Sequence, residues 1–491
     1  MRITLENFKD VRKFSNVQGL LCSDRPMMDA MGTSAGHINY LYEKGVFKGE
    51  KGTSYTISDF QDERLKLTVL AGIGKRDKLD MDALRNAAAI IIKEADRQKM
   101  ADVDIILNEI PEEYMMDSVK VLSEAAAMCL YRFEKYSSVK HETSVTAVRL
   151  ISCCKDNKDY QISIDEGIIV AEGNLIARDL VNEPSNVLTP EELGRRATAL
   201  GKKYGFKTEV MGRRRIEELG MDAFLAVARG SANEPKLIVM RYMGNPEDNK
   251  NIVGLIGKGI TFDAGGYCVK GSGHMWMMKT DMGGGAAVIG AITAAARMGL
   301  KKNIVAVVAA CDNLISGDAY KPGDIVRTMN GKTIEIRNTD AEGRLTLVDA
   351  VTYALRNEGV TSIIDIATLT GAVGRAIGNV VTGVVDNSNR LYSVLENASK
   401  RCDERVWRFP VFDEYKKLIK TGSGDLVNST GAAGAGAITA GLFVGEFVED
   451  KPWLHLDIAA GAFVEHPDKE YRSEGATGIG SMLLYELVKE I

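Results

Sequence analysis

Histidine is scarce. The chain has five in 491 residues, at His37, His141, His274, His455 and His466. None stands in an H-E-x-x-H spacing, which excludes the usual histidine-based zinc peptidase pattern. Seven cysteines are scattered, with Cys153 and Cys154 adjacent and no C-x-x-C, so neither a zinc ribbon nor a disulfide framework is expected. Most of them read as small buried apolar groups. No apolar run is long enough to span a bilayer, and the opening MRITLENFKDVRKFS mixes both charge signs without an apolar core. The expectation is a cytoplasmic protein with no membrane partner. An excess of one charge is missing too: 62 Lys and Arg against 67 Asp and Glu leave a net charge of −5, which argues against nucleic acid as a partner. GRRR (212–215), the most basic run, reads as a solvated helix face. The stretch GAAGAGAITAGLF (431–443) contains no G-x-G-x-x-G, so its glycines are expected to permit a tight approach at the start of a helix rather than to cradle a dinucleotide.

What is present is ordinary globular composition, 45% hydrophobic and 26% charged, on a chain too long for one core. No internal repeat is visible. In the first third, LKLTVLAGIG (66–75) and VDIILNEI (103–110) read as strands, and 79–98 and 118–133 as amphipathic helices. That alternation predicts a small α/β domain over 1–165, ending in a polar stretch at 155–167, then a linking helix over 166–182. The remainder, 183–491, reads as a larger catalytic α/β domain. In NEPSNVLTPEEL (182–193), Thr189 stands as an N-cap before Pro190 at the first helical position. The apolar runs 236–242, 251–257, 303–311, 362–369 and 454–460 read as strands buried on both faces, predicting a mostly parallel sheet covered by helices.

Two segments carry the chemistry. NTDAEGRL (338–345) puts Asp340 and Glu342 on one side of an extended turn with Arg344 just beyond. Alone, that string also reads as a helix cap with acid in the first turn. The second segment, VGLIGKGITFDAGGYCVKGSGHMWMMKTDMGG (253–284), supplies Lys258, Asp263, Lys270 and Asp281. Lys258 ends a strand where α/β sheets gather ligands. On position alone an ion-pair partner is the plainer reading of that lysine. As a metal ligand it must shed a proton, far from its reference pKa of roughly 10.4. Asp263, Asp281, Asp340 and Glu342 together favour metal, because four crowded carboxylates repel unless cations neutralise them. Two divalent ions about 3.5–4 Å apart can acidify a shared water and polarise a carbonyl.

The order and spacing Lys258, Asp263, Lys270, Asp281, Asp340, Glu342, Arg344 resemble the leucine aminopeptidase family of two-metal exopeptidases. The resemblance covers roughly the last two thirds of the chain, and DLVNEPSNVLTPEEL, DIATLTGA and GATGIGS are similar to the family as well. It implies a metal-dependent aminopeptidase that hydrolyses the first peptide bond by a two-metal-bridged hydroxide. One ion would take Lys258, Asp263, Asp281 and Glu342, and the other Asp263, Asp340 with its carbonyl, and Glu342. Zn²⁺ or Mn²⁺ are expected, with Mg²⁺ or Co²⁺ acceptable according to supply. Lys270 would donate to the substrate carbonyl or oxyanion, although the residue alone also reads as a solvated loop lysine. Arg344 would hold bicarbonate, a role compatible with an ion pair to Asp340 or Glu342.

Asp281 would also meet the free α-amine of the peptide. Met278, Thr368, Leu369 and Gly371 match positions that line the first side-chain pocket or contact the substrate backbone. Met278 suggests leucine or another bulky apolar first residue, though a core methionine reads almost as well. A homohexamer is implied too. The segment 461–475 departs from the family pattern after LHLDIAA and is expected to reshape the pocket wall. A rival reading makes the chain an assembly or DNA-associated protein of the same fold.

Overall fold

The computed structural model describes residues 1–11, 13–24, 35–61, 63–107, 109–152, 158–248, 250–431 and 434–491. The chain divides into two α/β units, Met1–Glu172 with His466–Glu474, and Gly173–Glu465 with Gly475–Ile491.

The smaller unit is built on a six-stranded sheet. Its order runs Arg2–Asn7, Ala147–Ser152, Asp102–Ile106, Val17–Ser23, Arg64–Gly74, Ser54–Gln61, all parallel except the last pair. The helix Met81–Arg97, capped by Asp80 accepting from the Asp82 amide, buries its alanine and isoleucine face. It packs against the helix Met115–Met128. Arg85 and Glu124 form a 2.8 Å ion pair buried between them. The strands at 2–7, 17–23, 54–61 and 147–152 carry short or mixed patterns that periodicity does not single out.

The sequence expectation for 155–167 needs correction. Residues 155–157 lie outside the described residues. From Lys158 a single helix runs to Asn182, so the polar stretch largely begins that helix instead of preceding it. Of the segment 461–475, Phe463 packs edge-on to Trp276 in the larger unit, whereas residues 466–474 belong to the smaller unit. There Lys469 and Tyr471 are held by the carboxylate of Asp82, and Asn86 accepts from the Glu470 amide at 2.8 Å. Opposite charges and a tyrosine hydroxyl draw this hydrophilic loop to a helix surface.

The larger unit holds an eight-stranded sheet in the order Val406–Arg408, Thr382–Asp386, Trp453–Asp457, Ser362–Ala367, Ile252–Asp263, Asn303–Asn313, Lys236–Met243, Lys207–Met211. Four central strands, from Trp453–Asp457 to Asn303–Asn313, are mutually parallel, and antiparallel pairs lie toward both edges. The strand Ile252–Asp263 is almost continuously buried, as a parallel strand covered on both faces must be. Gly257 meets the helix Gly283–Met298, whereas Ile256 and Ile260 pack with Leu345 and Val348 of the helix Gly343–Glu358. Alternation along the strand therefore places the two helices on opposite faces and turns Lys258 toward the second. Thr189 caps the helix Pro190–Tyr204 by accepting from the Glu192 amide. Among the described residues no helix is long and apolar enough to cross a membrane.

Candidate metal centre

The carboxyl ends of the central parallel strands converge on one cluster, where α/β sheets bind ligands. Lys258 and Asp263 come from the strand Ile252–Asp263, and the neighbouring strand ends at Asn313, in register with Asp263. Asp281 sits in the 3₁₀ segment Trp276–Met282 that leads into a buried glycine-rich helix. Asp340 and Glu342 lie in the turn before the helix Gly343–Glu358. Glu342 stands at that helix's N-cap without a side-chain capping bond, so the cap reading of this acid fails.

Carboxylate oxygens of Asp263, Asp340 and Glu342 lie within 4.8 Å of one another. Lys258 is buried, and its Nζ reaches Asp281 Oδ1 at 2.7 Å, Glu342 Oε1 at 2.8 Å and the Thr368 carbonyl at 3.0 Å. Lys270 Nζ lies 2.8 Å from Asp263 Oδ2 and 2.6 Å from Asp340 Oδ1. The structure thus brings together all six ionisable residues that the motif spacing singled out around the candidate ions.

Four acids face two ammonium groups, so full ionisation leaves two negative charges uncompensated. Burial, reinforced by Glu342, pushes the Asp263 carboxyl up to about 7. Burial raises Asp281 as well, against the pull of Lys258. Glu342 goes the other way, because Lys258 and Lys270 outweigh its burial. For Lys258, burial opposes the charged form but Asp281, Glu342 and Asp263 prevail, and the ammonium is favoured. The two lysines thus balance only half of the acids' charge. Divalent ions held here would supply the remainder and would favour a Lys258 that has lost its proton. Asp281 Oδ2, buried and without a hydrogen-bond partner among the described residues, is a donor oxygen left over for such an ion. The donor set fits.

Local backbone chemistry keeps the cluster open. Gly265, at φ +87°, turns the chain after Asp263, and a Cβ there would lie 2.8 Å from Asp340 Oδ1. At Gly343 a Cβ would sit 2.4 Å from Lys258 Cε and 2.8 Å from its Nζ. Gly343→Ala is accordingly expected to push the lysine out of place, lowering peptide turnover about 100-fold with the circular dichroism spectrum unchanged, since misplacement by about 1 Å costs that much. A fully active alanine variant would show that Lys258 need not sit there.

Arg344 is buried and pairs with neither Asp340 nor Glu342 among the described residues. Its Nη1 donates to the Asn428 carbonyl at 2.7 Å, its guanidinium lies over Phe443, and its Nε–H has no partner. Burial lowers its pKa to about 10, opposed by Glu342 and Asp457, so it stays cationic at neutral pH.

Thr368 Oγ1 donates to Asp281 Oδ1 at 2.8 Å, and the Leu369 amide donates to Asp457 Oδ1 at 3.2 Å. Gly371 opens the helix Gly371–Ile377, capped by Thr370. Met278 is half-buried, unlike Met282, which lies wholly in the core. His274 is exposed on a short helix and stays out of the cluster.

The sequence reading overlooked Asn313, whose Nδ2 donates to Asp263 Oδ1 at 2.7 Å. It overlooked Thr339 as well, which bonds the Gly265 carbonyl and the Cys268 amide and so ties the two motif segments together. Asp457, which orders the 368–370 turn, escaped notice too. Each is a polar residue at or beside a strand end or motif, the one signal that could have revealed it.

A family model for the catalytic domain of the cytosol aminopeptidase family matches residues 175–485, and the model for its N-terminal domain matches 29–140. A protein named probable cytosol aminopeptidase from Clostridium perfringens is 46% identical over 453 residues, 92% of each chain. One of the same name from Treponema denticola is 43% identical over 460 residues, 93% of this chain and 95% of its own. Among solved structures, a mutant tomato leucine aminopeptidase superposes with a TM-score of 0.90 at 28% identity, covering 100% of this chain and 97% of its own. A bottromycin maturation enzyme in complex with Mn gives 0.86 at 29%, covering 97% and 99%.

Proposed function

The chain belongs to the cytosol aminopeptidase family and is a metal-dependent aminopeptidase, and on that premise we propose that the cluster around Lys258 is its active centre. The observation that carries the assignment is the convergence of Asp263, Asp340 and Glu342 within 4.8 Å, with Lys258 and Lys270 lodged among the acids. Lys258, Asp263, Asp281 and Glu342 would hold one divalent ion. Asp263, Asp340 and Glu342 would hold the second, with Asp263 and Glu342 shared. Such ions acidify a shared water and polarise the carbonyl that it attacks. Zn²⁺ or Mn²⁺ suits this oxygen-rich set with its single amine, and Mg²⁺ or Co²⁺ can replace them.

The chain's own groups do the rest. Lys270, cationic and partly exposed, donates to the carbonyl oxygen of the first peptide bond as negative charge develops there. Asp281 also meets the free α-amine and so restricts attack to the first residue. Met278 and Thr368 border the space for that residue's side chain, and a half-buried methionine suits leucine and other bulky apolar groups. Leu369 and Gly371 lie beside the peptide backbone. The unpartnered Nε–H of Arg344 suits a small planar oxyanion such as bicarbonate, which would supply a proton-accepting oxygen.

Treatment with a chelator should abolish cleavage of a leucine anilide, and Mn²⁺ or Zn²⁺ should restore it. Undiminished turnover by enzyme shown to be metal-free would end this reading. A homohexamer in the cytoplasm completes the proposal; sedimentation should then show six chains of 53.4 kDa. An assembly or DNA-associated role has no support in the relatives, and the net charge of −5 speaks against the second.

A further inference from the structure

The candidate centre accounts for the peptide's amine and first side chain but gives nothing to the fragment that leaves. The larger unit contains a cavity of about 390 Å³, lined by Ala372, Arg375 and Ala376 of the helix Gly371–Ile377, by Phe409 and Gly431, and by the residues from Gly434 to Ile438. That volume falls within the range of small-ligand sites, roughly 300–1,000 Å³. Arg375 is the cavity's one charged lining residue among those described. Its guanidinium folds back along its helix, so that Nη1 lies 3.9 Å from the position of a Cβ on Gly371. Arg375 is exposed and makes no hydrogen bond or ion pair among the described residues.

Two segments of the chain lead from the centre to the cavity wall. On one side Ala372 and Arg375 follow closely on the turn at Thr368 and Leu369. On the other, the stretch beginning at Asn428 grips Arg344 through a carbonyl at 2.7 Å before it reaches the cavity wall. Close approach forms its floor: a Cβ on Gly436 would lie 3.0 Å from Ala372 Cβ. The Met278 and Thr368 side has different neighbours. A Cβ on Gly283 would meet Thr368 Cγ2 at 3.3 Å, Ala462 Cβ at 3.7 Å and Ile458 Cδ1 at 3.9 Å, none of which lines the cavity.

Resting on the aminopeptidase reading, we propose that this cavity receives the fragment beyond the cleaved bond and that Arg375 selects fragments carrying a carboxylate. An unpaired guanidinium at the rim of a mainly apolar hollow is suited to one negative charge on an otherwise uncharged segment. The carboxylate belongs either to the C-terminus of a short peptide or to an acidic side chain.

The test compares kcat/KM within each enzyme for Leu-Ala-Ala against its C-terminal amide, and for Leu-Glu-Ala-amide against Leu-Gln-Ala-amide. The first pair reads the terminal carboxylate and the second reads the side chain. In the unaltered enzyme at least one pair should favour the acid by about 2- to 5-fold, carried by KM, the range of an exposed ion pair. That ratio should fall to about one in Arg375→Ala and below one in Arg375→Glu. Indifference of the unaltered enzyme to both pairs, or a preference that survives in Arg375→Ala, would overturn the proposal. Leucine anilide carries no carboxylate, and failure of the unaltered enzyme to cleave it would instead strike the aminopeptidase reading itself.

Discussion

Glu342→Ala is expected to be purified without a full metal complement and to lose about 1,000-fold or more in peptide turnover. Glu342 lies among the acids of both proposed ion sites, and no other carboxylate reaches Lys258 Nζ from the turn before the helix Gly343–Glu358. The rate loss follows from removing several kcal/mol of charge stabilisation, at about 1.4 kcal/mol per tenfold. Stability should suffer separately. The deletion strips a 2.8 Å partner from a buried ammonium, and breaking a buried pair from one side costs roughly 3–5 kcal/mol. Glu342→Gln keeps the shape while removing the charge, so it should melt closer to the parent yet remain inactive. Metal content per chain, calorimetry and leucine anilide turnover read the three effects independently. Retention of two ions and full activity in the glutamine variant would remove Glu342 from the centre.

Lys270→Met should separate catalysis from metal binding. Its ammonium lies 2.8 Å from Asp263 and 2.6 Å from Asp340, so in the metal-free protein it competes for the same oxygens as an incoming cation. Methionine fills similar space without that charge, and the acids should then bind divalent ions more tightly, as isothermal titration would show. Turnover should nonetheless fall about 100- to 1,000-fold, the cost of losing one donor to a developing oxyanion, with KM little changed. Equal losses in metal affinity and in kcat would make Lys270 a structural support instead.

The contrast between these two residues shows what was legible. Both were singled out by the company of acids in two short segments and by resemblance to a family pattern. Neither spacing nor resemblance indicates that Lys258 bridges Asp281 and Glu342 while Lys270 bridges Asp263 and Asp340. Such pairing depends on side chains as many as 84 positions apart meeting where the central strands end. The five apolar runs of the larger unit announced their strands because a strand buried on both faces is apolar throughout. Edge and half-exposed strands of the smaller unit, such as Arg2–Asn7 with its RITLEN pattern, gave no comparable signal. The placement of 466–474 was illegible for another reason: nothing in that stretch announces Asp82, far away in sequence, as the partner of Lys469 and Tyr471.

Residue identity alone was enough to determine the chemistry open to this protein: acids in excess of nearby bases demand cations, an amine among them can ligate only if it loses its proton, and no histidine set competes. Which oxygens remain unsatisfied, which glycine makes room for Lys258, and where an unpaired Arg375 stands beside a hollow were decided only when the chain closed. Charge and donor type are properties of each residue by itself, whereas vacancy and contact exist only between segments that folding brings together.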